Sequence, residues 1–95
     1  MASVTVLFRS RLLPGAAERK AELDELVAPA AAEHEGLIGR KTFTAGDGER
    51  VTIVEFADEA SFEAWRRDPT HRTAKAEREA VYAETSTEVL SPIAE

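Results

Sequence analysis

Alternating apolar and polar residues mark two neighbouring strands, at residues 37–45 and 49–56, on either side of Asp47-Gly48. Asp-Gly between two such runs is a strong hairpin signal, because a tight turn that follows the strand twist needs residues that tolerate positive φ. With these two as the central turn residues, antiparallel pairing fixes which side chains face each other. The predicted pairs are Phe43 with Thr52, Lys41 with Val54, Gly39 with Phe56, Arg40 with Glu55 and Thr42 with Ile53.

Two consequences follow from this register. A glycine opposite a phenylalanine leaves space beside the ring, so the face that carries Gly39 and Phe56 is predicted to hold a hollow. Arg40 and Glu55 are predicted to form an ion pair on the opposite face. A four-residue loop in place of the two-residue turn would keep the hairpin but change the individual pairs.

Two further strands are predicted at the start and the end of the chain. Residues 4–9 read VTVLFR, with Val4, Val6 and Phe8 on one face and Leu7 on the other. Residues 84–90 read ETSTEVL and form the last strand.

A helical pattern begins at Ala17, after the turn residues 13–15, and carries apolar residues at Leu23, Leu26, Val27 and Ala30. Pro29 removes a backbone donor, so a kink or break is expected there. Gly36 is placed to cap this helix before the hairpin begins. His34 is interpreted as a cation at the C-terminal end of the helix.

The second helical region, after the hairpin, is predicted in two pieces. Asp58 is the predicted N-cap of a short helix with Phe62 and Trp65 on one face. Asp68-Pro69 predicts another start, since aspartate caps helices and proline favours the first helical position. The helix that follows should end near Tyr82.

The element order is therefore β-α-β-β-α-β, which predicts a ferredoxin-like α+β fold with helices on one face of a four-stranded antiparallel sheet. The opposite face carries Leu7, Val51 and Ile53 and could include Leu37, while the predicted register places Phe43 on the helix-covered face. Each large apolar side chain left in water forgoes about 1.5–3 kcal/mol of burial, so this face needs a cover. A second copy of the same sheet would supply it, which predicts a homodimer.

Composition narrows the function classes. A chain of 95 residues is expected to form a single domain, residues 1–95. The 18 acidic against 12 basic residues argue against nucleic-acid binding. Neither a signal peptide at residues 1–8 nor an apolar run long enough to cross a bilayer is found, so no membrane partner is expected. Without cysteine, no thiolate chemistry is available, and a cytoplasmic location is expected.

Several motifs together resemble a known family. The segments FRSRLLPG (residues 8–15), DGERVTIVEF (residues 47–56), the Trp65…DPTHR segment and the region of Tyr82 are similar to the antibiotic biosynthesis monooxygenase family, of the dimeric α+β barrel superfamily. The resemblance implies a homodimeric barrel with a pocket between sheet and helices in each subunit. It also implies oxidation of aromatic compounds by molecular oxygen without cofactor or metal, while haem-degrading relatives are known.

The resemblance carries over to individual residues only in part. Where quinone-forming relatives have polar and aromatic pocket groups, this chain has Thr52, Phe56 and Phe62, so an amide, an indole and a phenol are missing. Where haem-degrading relatives have an asparagine, this chain has Phe8. The histidine that binds haem iron in those relatives also follows the tryptophan at a longer interval than His71 follows Trp65.

His71 is the predicted catalytic base, since a histidine accepts a proton from a phenol near neutral pH. The alternative is a solvated or helix-capping histidine. Trp65 and Phe62 are predicted to stack on a planar ligand, or to pack in the core. Tyr82 is predicted to donate a hydrogen bond to the ligand or to cap the sheet. The predicted ligand-binding residues are Phe8, Thr52, Phe56, Phe62, Trp65 and Tyr82.

Other site chemistry is not indicated. Arg66, Arg67 and Arg72 could bind a carboxylate or phenolate, but a run of this kind is more typical of a solvated surface. No phosphate-binding glycine loop, metal-ligand motif or nucleophile elbow is present. Three functions stay open: a cofactor-independent monooxygenase acting on a phenolic or polycyclic aromatic compound, a non-catalytic barrel that binds an apolar small molecule, and haem binding or degradation.

Overall fold

The computed structural model describes residues 3–91, whose four strands form one antiparallel sheet in the order β2-β3-β1-β4. The elements are β1 Val4–Leu12, α1 Ala17–Glu33, β2 Leu37–Thr44, β3 Arg50–Phe56, α2 Glu59–Arg66, α3 Pro69–Lys75, α4 Arg78–Val81 and β4 Tyr82–Leu90. This is the predicted ferredoxin-like α+β fold. The first and last strands of the chain, β1 and β4, are both longer than predicted. The second helical region is in three pieces rather than two.

The predicted hairpin exists, but its register is one residue away from the prediction. Ala45 N–H donates to Glu49 O at 2.8 Å and Gly48 N–H donates to Ala45 O at 3.0 Å, so three residues separate the last paired positions. Gly48 has φ +91°, and no non-glycine residue of the described chain has positive φ. Asp47 therefore does not take the conformation that a two-residue turn would require; its carboxylate accepts from the Glu49 N–H at 3.1 Å instead.

This one-residue shift exchanges the faces of β2, because the side-chain period of a strand is two. The observed pairs are Phe43 with Val51, Thr42 with Thr52, Lys41 with Ile53, Arg40 with Val54, Gly39 with Glu55 and Leu37 with Phe56, with a bulge at Ile38. The five predicted pairs are therefore wrong. The predicted ion pair of Arg40 with Glu55 is absent from the register. Leu37, and not Gly39, lies opposite Phe56 and packs on the same core cluster, so Leu37 belongs to the covered face and not to the opposite one.

Helix α1 begins at Ala17 as predicted but is not broken at Pro29, which lies within a continuous helix to Glu33. The predicted cap at Gly36 is also wrong, since His34 is the C-cap and Gly36 lies in the following turn with φ +91°. A Cβ at Gly36 would lie 2.0 Å from Ser61 Oγ. Glycine is therefore required by both backbone conformation and close packing on α2.

The two predicted aspartate caps are confirmed. Asp58 accepts from Ser61 N–H at 2.8 Å, and Asp68 accepts from Thr70 and His71 N–H at 2.9 and 3.1 Å. Pro69 occupies the start of α3. The helix that follows is divided after Lys75 and ends at Val81, one residue before the predicted end. Within residues 3–91, no helix has both the length and the apolar character needed to cross a bilayer.

The core lies between one face of the sheet, called here the covered face, and the helices. Val4, Val6, Phe56 and Trp65 form one buried cluster, with Phe62 and residues of α1 packed against it. Ala16, Leu23 and Val81 form a second cluster, which includes Tyr82 at its edge. The space between these two clusters is where a ligand pocket can form.

The opposite face, called here the open face, has no helix across it among the described residues. Leu7, Val51 and Ile53 are half-buried there, and the observed register adds Phe43, which is 53% exposed. The strand ends nearest the hairpin turn carry two ion pairs instead, Arg9–Glu49 at 2.8 Å and Arg11–Asp47 at 2.7 Å. The open face thus has an apolar centre beside a charged end.

Candidate functional site

A pocket of about 280 Å³ lies between the covered face and helices α1 to α4. It is close to the lower end of the range typical of ligand pockets, about 300–1,000 Å³. The structure brings all seven predicted site residues to this pocket: Phe8, Thr52, Phe56, Phe62, Trp65, His71 and Tyr82. Their functional roles stay predictions, but their common location means that one ligand could contact several of them.

Aromatic rings form two groups along the pocket wall. Phe56 is completely buried at the end of β3, and its ring centroid lies 5.5 Å from that of Phe62 on α2. Phe8 on β1 meets Tyr82 at the start of β4 edge to face, at 5.7 Å. Contacts of this geometry stabilise aromatic pairs beyond the area they bury. The pocket therefore offers fixed, flat apolar surfaces.

His71 is positioned by the cap of α3. Because Asp68 accepts from the backbone N–H of His71, the first turn of α3 is fixed, and the imidazole stacks on Trp65 with centroids 4.7 Å apart and planes 29° apart. The Nδ1 atom of His71 is buried and has no hydrogen-bond partner in the part of the chain that the structure describes. This histidine is half-buried against Trp65, unlike a solvated surface histidine.

Burial lowers the pKa of His71 from its ordinary value of 6.5, and the positive charges of Lys75 and Arg78 lower it further. The carboxylate of Asp68 opposes this shift but does not reverse it. The imidazole is therefore neutral at pH 7, which is the form that accepts a proton.

Helix α1 contributes polar pocket residues that the sequence analysis missed. Lys20 is only 15% exposed, forms an ion pair with Asp24, and places its Nζ atom 6.0 Å from the centroid of the Tyr82 ring. Lys20, Asp24 and Val27 follow helical spacing on the face that carries Leu23. The apolar stripe of the sequence does not by itself reveal this polar edge, because a lysine and an aspartate four residues apart are also typical of a solvated helix surface.

The sheet contributes Arg40, Thr42 and Arg50, which were also missed. Arg40 and Thr42 reach the covered face because of the observed hairpin register. The hydroxyl oxygens of Thr42 and Thr52 lie 3.3 Å apart on adjacent strands. The predicted register had placed Arg40 and Thr42 on the other face.

The three arginines near Pro69 and the histidine at the end of α1 differ in whether they line the pocket. Arg66 lines the pocket and lies 5.6 Å from the Phe62 ring centroid, whereas Arg67 and Arg72 are exposed and do not line it. His34 is the C-cap of α1, where its Nε2–H donates to Ser61 O at 2.8 Å and its ring lies 5.4 Å from that of Trp65. It supports Trp65 from outside the pocket. Among residues 3–91, no group of three or more His, Asp or Glu side chains is arranged to hold a metal ion.

Comparison with known proteins gives one family and one fold. The model of the family described as Antibiotic biosynthesis monooxygenase matches residues 3–77, well over half of the chain. No curated protein sequence matches the chain at a significant level.

Among solved structures, Rv0793 from Mycobacterium tuberculosis has 22% identity and a TM-score of 0.84, with 98% of this chain and 97% of that chain covered. PA3566 from Pseudomonas aeruginosa has 21% identity and a TM-score of 0.80, covering 99% and 97%. SnoaB from Streptomyces nogalater, described as a cofactor-independent oxygenase, has 15% identity and a TM-score of 0.82, covering 100% and 97%. At these identities the likeness shows the fold alone.

Proposed function

The chain belongs to the antibiotic biosynthesis monooxygenase family, and from that premise we propose that it is a cofactor-independent monooxygenase that oxidises a phenolic or polycyclic aromatic small molecule with molecular oxygen. The observation that carries the proposal is the half-buried imidazole of His71, stacked on Trp65 at one wall of an aromatic pocket. A base in such a position can act on a ring that lies against the pocket aromatics.

The proposed reaction begins with a proton transfer. A planar substrate lies against Phe62 and Trp65, and His71 accepts a proton from its phenol or from an activated ring methylene. Removal of this proton makes the ring rich in electrons.

Oxygen then reacts with the substrate anion directly. For an anthrone-like substrate, the ring methylene and O₂ give a ring carbonyl and one molecule of water. The methylene carbon supplies all the electrons that oxygen accepts; one oxygen atom forms the new C=O bond and the other leaves as water with the two hydrogens. The chain's own part is to bind and orient the substrate and to hold the first proton on His71.

We further propose that the protein works as a homodimer in the cytoplasm. The support for the dimer is the open face, where Leu7, Phe43 and Ile53 form an apolar surface that a second copy of the sheet can bury. The support for the location is the acidic composition and the lack of cysteine.

A non-catalytic barrel that binds an apolar small molecule is the second candidate. The observation in its favour is that Phe8, Phe56 and Phe62 supply rings without hydrogen-bonding groups to the pocket. Such a pocket can bind an aromatic ligand by area alone. Both candidates predict that planar aromatics quench the fluorescence of Trp65, the chain's single tryptophan.

Oxygen consumption separates the two. The purified protein, treated with a metal chelator, is mixed with anthrone or dihydroxyanthrone in an oxygen electrode. The monooxygenase consumes oxygen, and His71→Ala lowers the turnover rate by about 10²–10⁴-fold with little change in Trp65 quenching. Added imidazole should restore part of the rate to His71→Ala. The matched control Arg72→Ala, at an exposed position next in sequence, keeps the rate.

Quenching of Trp65 without oxygen uptake across a panel of phenols and anthrones would exclude the monooxygenase and favour the non-catalytic binding protein. Oxygen uptake unchanged by His71→Ala would keep the enzyme and remove His71 as its base. Haem is the third possibility, and we expect no stoichiometric haem binding because Phe8 offers no hydrogen bond. A Soret shift on haem titration that is lost in His71→Ala would make haem the first candidate.

A further inference from the structure

The charge around the pocket is opposite to the charge of the whole chain. Of the chain's 12 basic residues six line the pocket, against two of its 18 acidic residues. The two acidic residues are Asp24 and Glu77. The six basic residues are Lys20, Arg40, Arg50, Arg66, Lys75 and Arg78.

Both pocket carboxylates already have partners. Asp24 pairs with Lys20, and Glu77 accepts two hydrogen bonds from Arg19, at 2.9 Å from Nε and 2.5 Å from Nη2. Arg66 pairs with Glu63 at 3.0 Å. No negative charge of the pocket is therefore left to neutralise the other cations.

Four cations remain without an ion pair among residues 3–91: Arg40, Arg50, Lys75 and Arg78. Arg50 and Arg78 are half-buried, so part of their hydration has been removed without a compensating charge. A half-buried guanidinium gains more from an anion than an exposed one, because the surrounding dielectric is lower.

The four cations approach the pocket from both sides. Arg40 and Arg50 come from the sheet, while Lys75 and Arg78 come from α3 and α4. Lys75 lies four residues after His71 on α3, about one helical turn away, and Arg78 begins α4. An anionic group bound among them would lie beside the proposed base and beside the aromatic wall.

We propose that the natural ligand is a planar aromatic compound that carries an ionised carboxylate, with its rings against Phe62 and Trp65 and its carboxylate among Arg40, Arg50, Lys75 and Arg78. This inference rests on the proposed function in that the same pocket holds the substrate, but it concerns binding and not oxidation. Guanidinium groups fit a carboxylate through paired N–H donors, which a neutral aromatic ligand would leave unused.

The test compares ligands that differ in charge alone. Naphthoate and naphthamide have the same ring system and nearly the same size, so titration calorimetry with each isolates the contribution of the carboxylate. We expect naphthoate to bind about tenfold more tightly at low salt, the factor that one charged hydrogen bond supplies. The difference should shrink in about 0.5 M salt, where exposed charges are screened.

Substitutions locate the carboxylate. Arg50→Gln and Arg78→Gln should each weaken naphthoate binding several-fold and leave naphthamide binding unchanged. Arg72→Gln removes the same charge from an exposed position outside the pocket and should change neither ligand. Circular dichroism verifies that each variant is folded, and the salt dependence of the unsubstituted protein tests the proposal without any variant.

Equal affinity for the acid and the amide, or no binding of naphthoate at millimolar concentration, would overturn the proposal. An equal loss of naphthoate affinity in Arg72→Gln would also overturn it, since the effect would then be one of net charge. A preference for naphthoate over naphthamide, together with no oxygen uptake on phenols and anthrones, would refute the monooxygenase and keep the carboxylate site. Oxygen uptake with equal affinity for acid and amide would do the reverse.

Discussion

Both faces of the sheet carry apolar side chains at alternate strand positions, but only one face is buried within the chain. On the covered face, Val4, Val6 and Phe56 are buried by helices of the same chain. On the open face, Leu7, Val51 and Ile53 are only half-buried, and Phe43 is 53% exposed.

Polar residues are distributed differently as well. The covered face turns polar at Thr52 and Arg50, where the pocket begins, and Arg50 has no ion pair among residues 3–91. The polar end of the open face consists of matched charges, Arg9 with Glu49 and Arg11 with Asp47. The open face also carries Lys41, Glu55 and Glu88, which have no ion pair among residues 3–91, so the contrast with the covered face holds only for the strand ends nearest the hairpin turn.

The largest effect is expected on the open face, from Ile53→Asp. If two copies of the sheet pack face to face, each buried unpaired carboxylate is unfavourable by about 3–5 kcal/mol, and two-fold symmetry introduces two of them. The variant should become monomeric or unfold. Sedimentation equilibrium at micromolar concentration measures this, with Ile53→Val as a control that stays dimeric. A monomeric unsubstituted protein would refute the dimer itself.

The next effect compares the same change, phenylalanine to alanine, on each face of the sheet. Phe56→Ala should lower the free energy of unfolding by about 3–5 kcal/mol, because Phe56 is fully buried within one chain. Phe43→Ala should have a smaller effect that grows with protein concentration, because Phe43 lies on the open face. Urea denaturation at two protein concentrations measures both. Equal, concentration-independent losses would contradict the observed register.

A smaller loss in the free energy of unfolding is expected from a substitution at Gly36, in the turn between α1 and β2. Gly36→Ala places a Cβ 2.0 Å from Ser61 Oγ at a residue with φ +91°, so we expect a loss of about 1–3 kcal/mol. Gly39→Ala is the control, since its Cβ meets nothing within 4 Å. Thermal unfolding compares them. If both variants melted alike, the close packing of this turn on α2 would be in doubt.

The smallest effect is a pH dependence that belongs to the covered face. Because the folded protein lowers the pKa of His71 below 6.5, the unfolded chain binds the proton more readily. The stability from neutral His71 is complete above 6.5 and is lost as the pH falls below that value. The pKa values of Asp47 and Asp58 are lowered from 3.8, so their contributions are lost only in stronger acid.

Urea denaturation between about pH 5 and pH 7.5 tests this directly. His71→Gln should flatten the dependence of stability on pH in that window and leave the loss below it in place. A slope that stays the same in His71→Gln would show that another group is responsible.

Local sequence signals predict a helix start correctly where the residues that determine it are close together in the chain. The caps Asp58 and Asp68 act on N–H groups two or three residues away, so the starts of α2 and α3 could be predicted closely. The opposite holds at Pro29. A proline predicts a break from local geometry, but packing of α1 on the sheet keeps the helix continuous.

The site was predictable in its aromatic half and not in its charged half. Phe56, Phe62 and Trp65 follow from strand and helix periods that depend on no partner. Arg40 depends on the hairpin register, and the register depends on whether Asp47 takes positive φ together with Gly48, which Asp-Gly alone does not decide. An error of one residue in a turn was enough to hide a pocket cation on the wrong face.

The strand order has a consequence for how the chain folds as it is made. β1 lies inside the sheet, between β3 and β4, so the first strand of the chain needs the last, with Thr5 paired to Leu90. Until β4 leaves the ribosome, one edge of β1 is unpaired and open to strands of other chains. Closing so long a loop is slow, which prolongs that exposure. Tyr82 and Thr87 of β4 line the pocket, so the pocket is completed in the same step that removes the open edge.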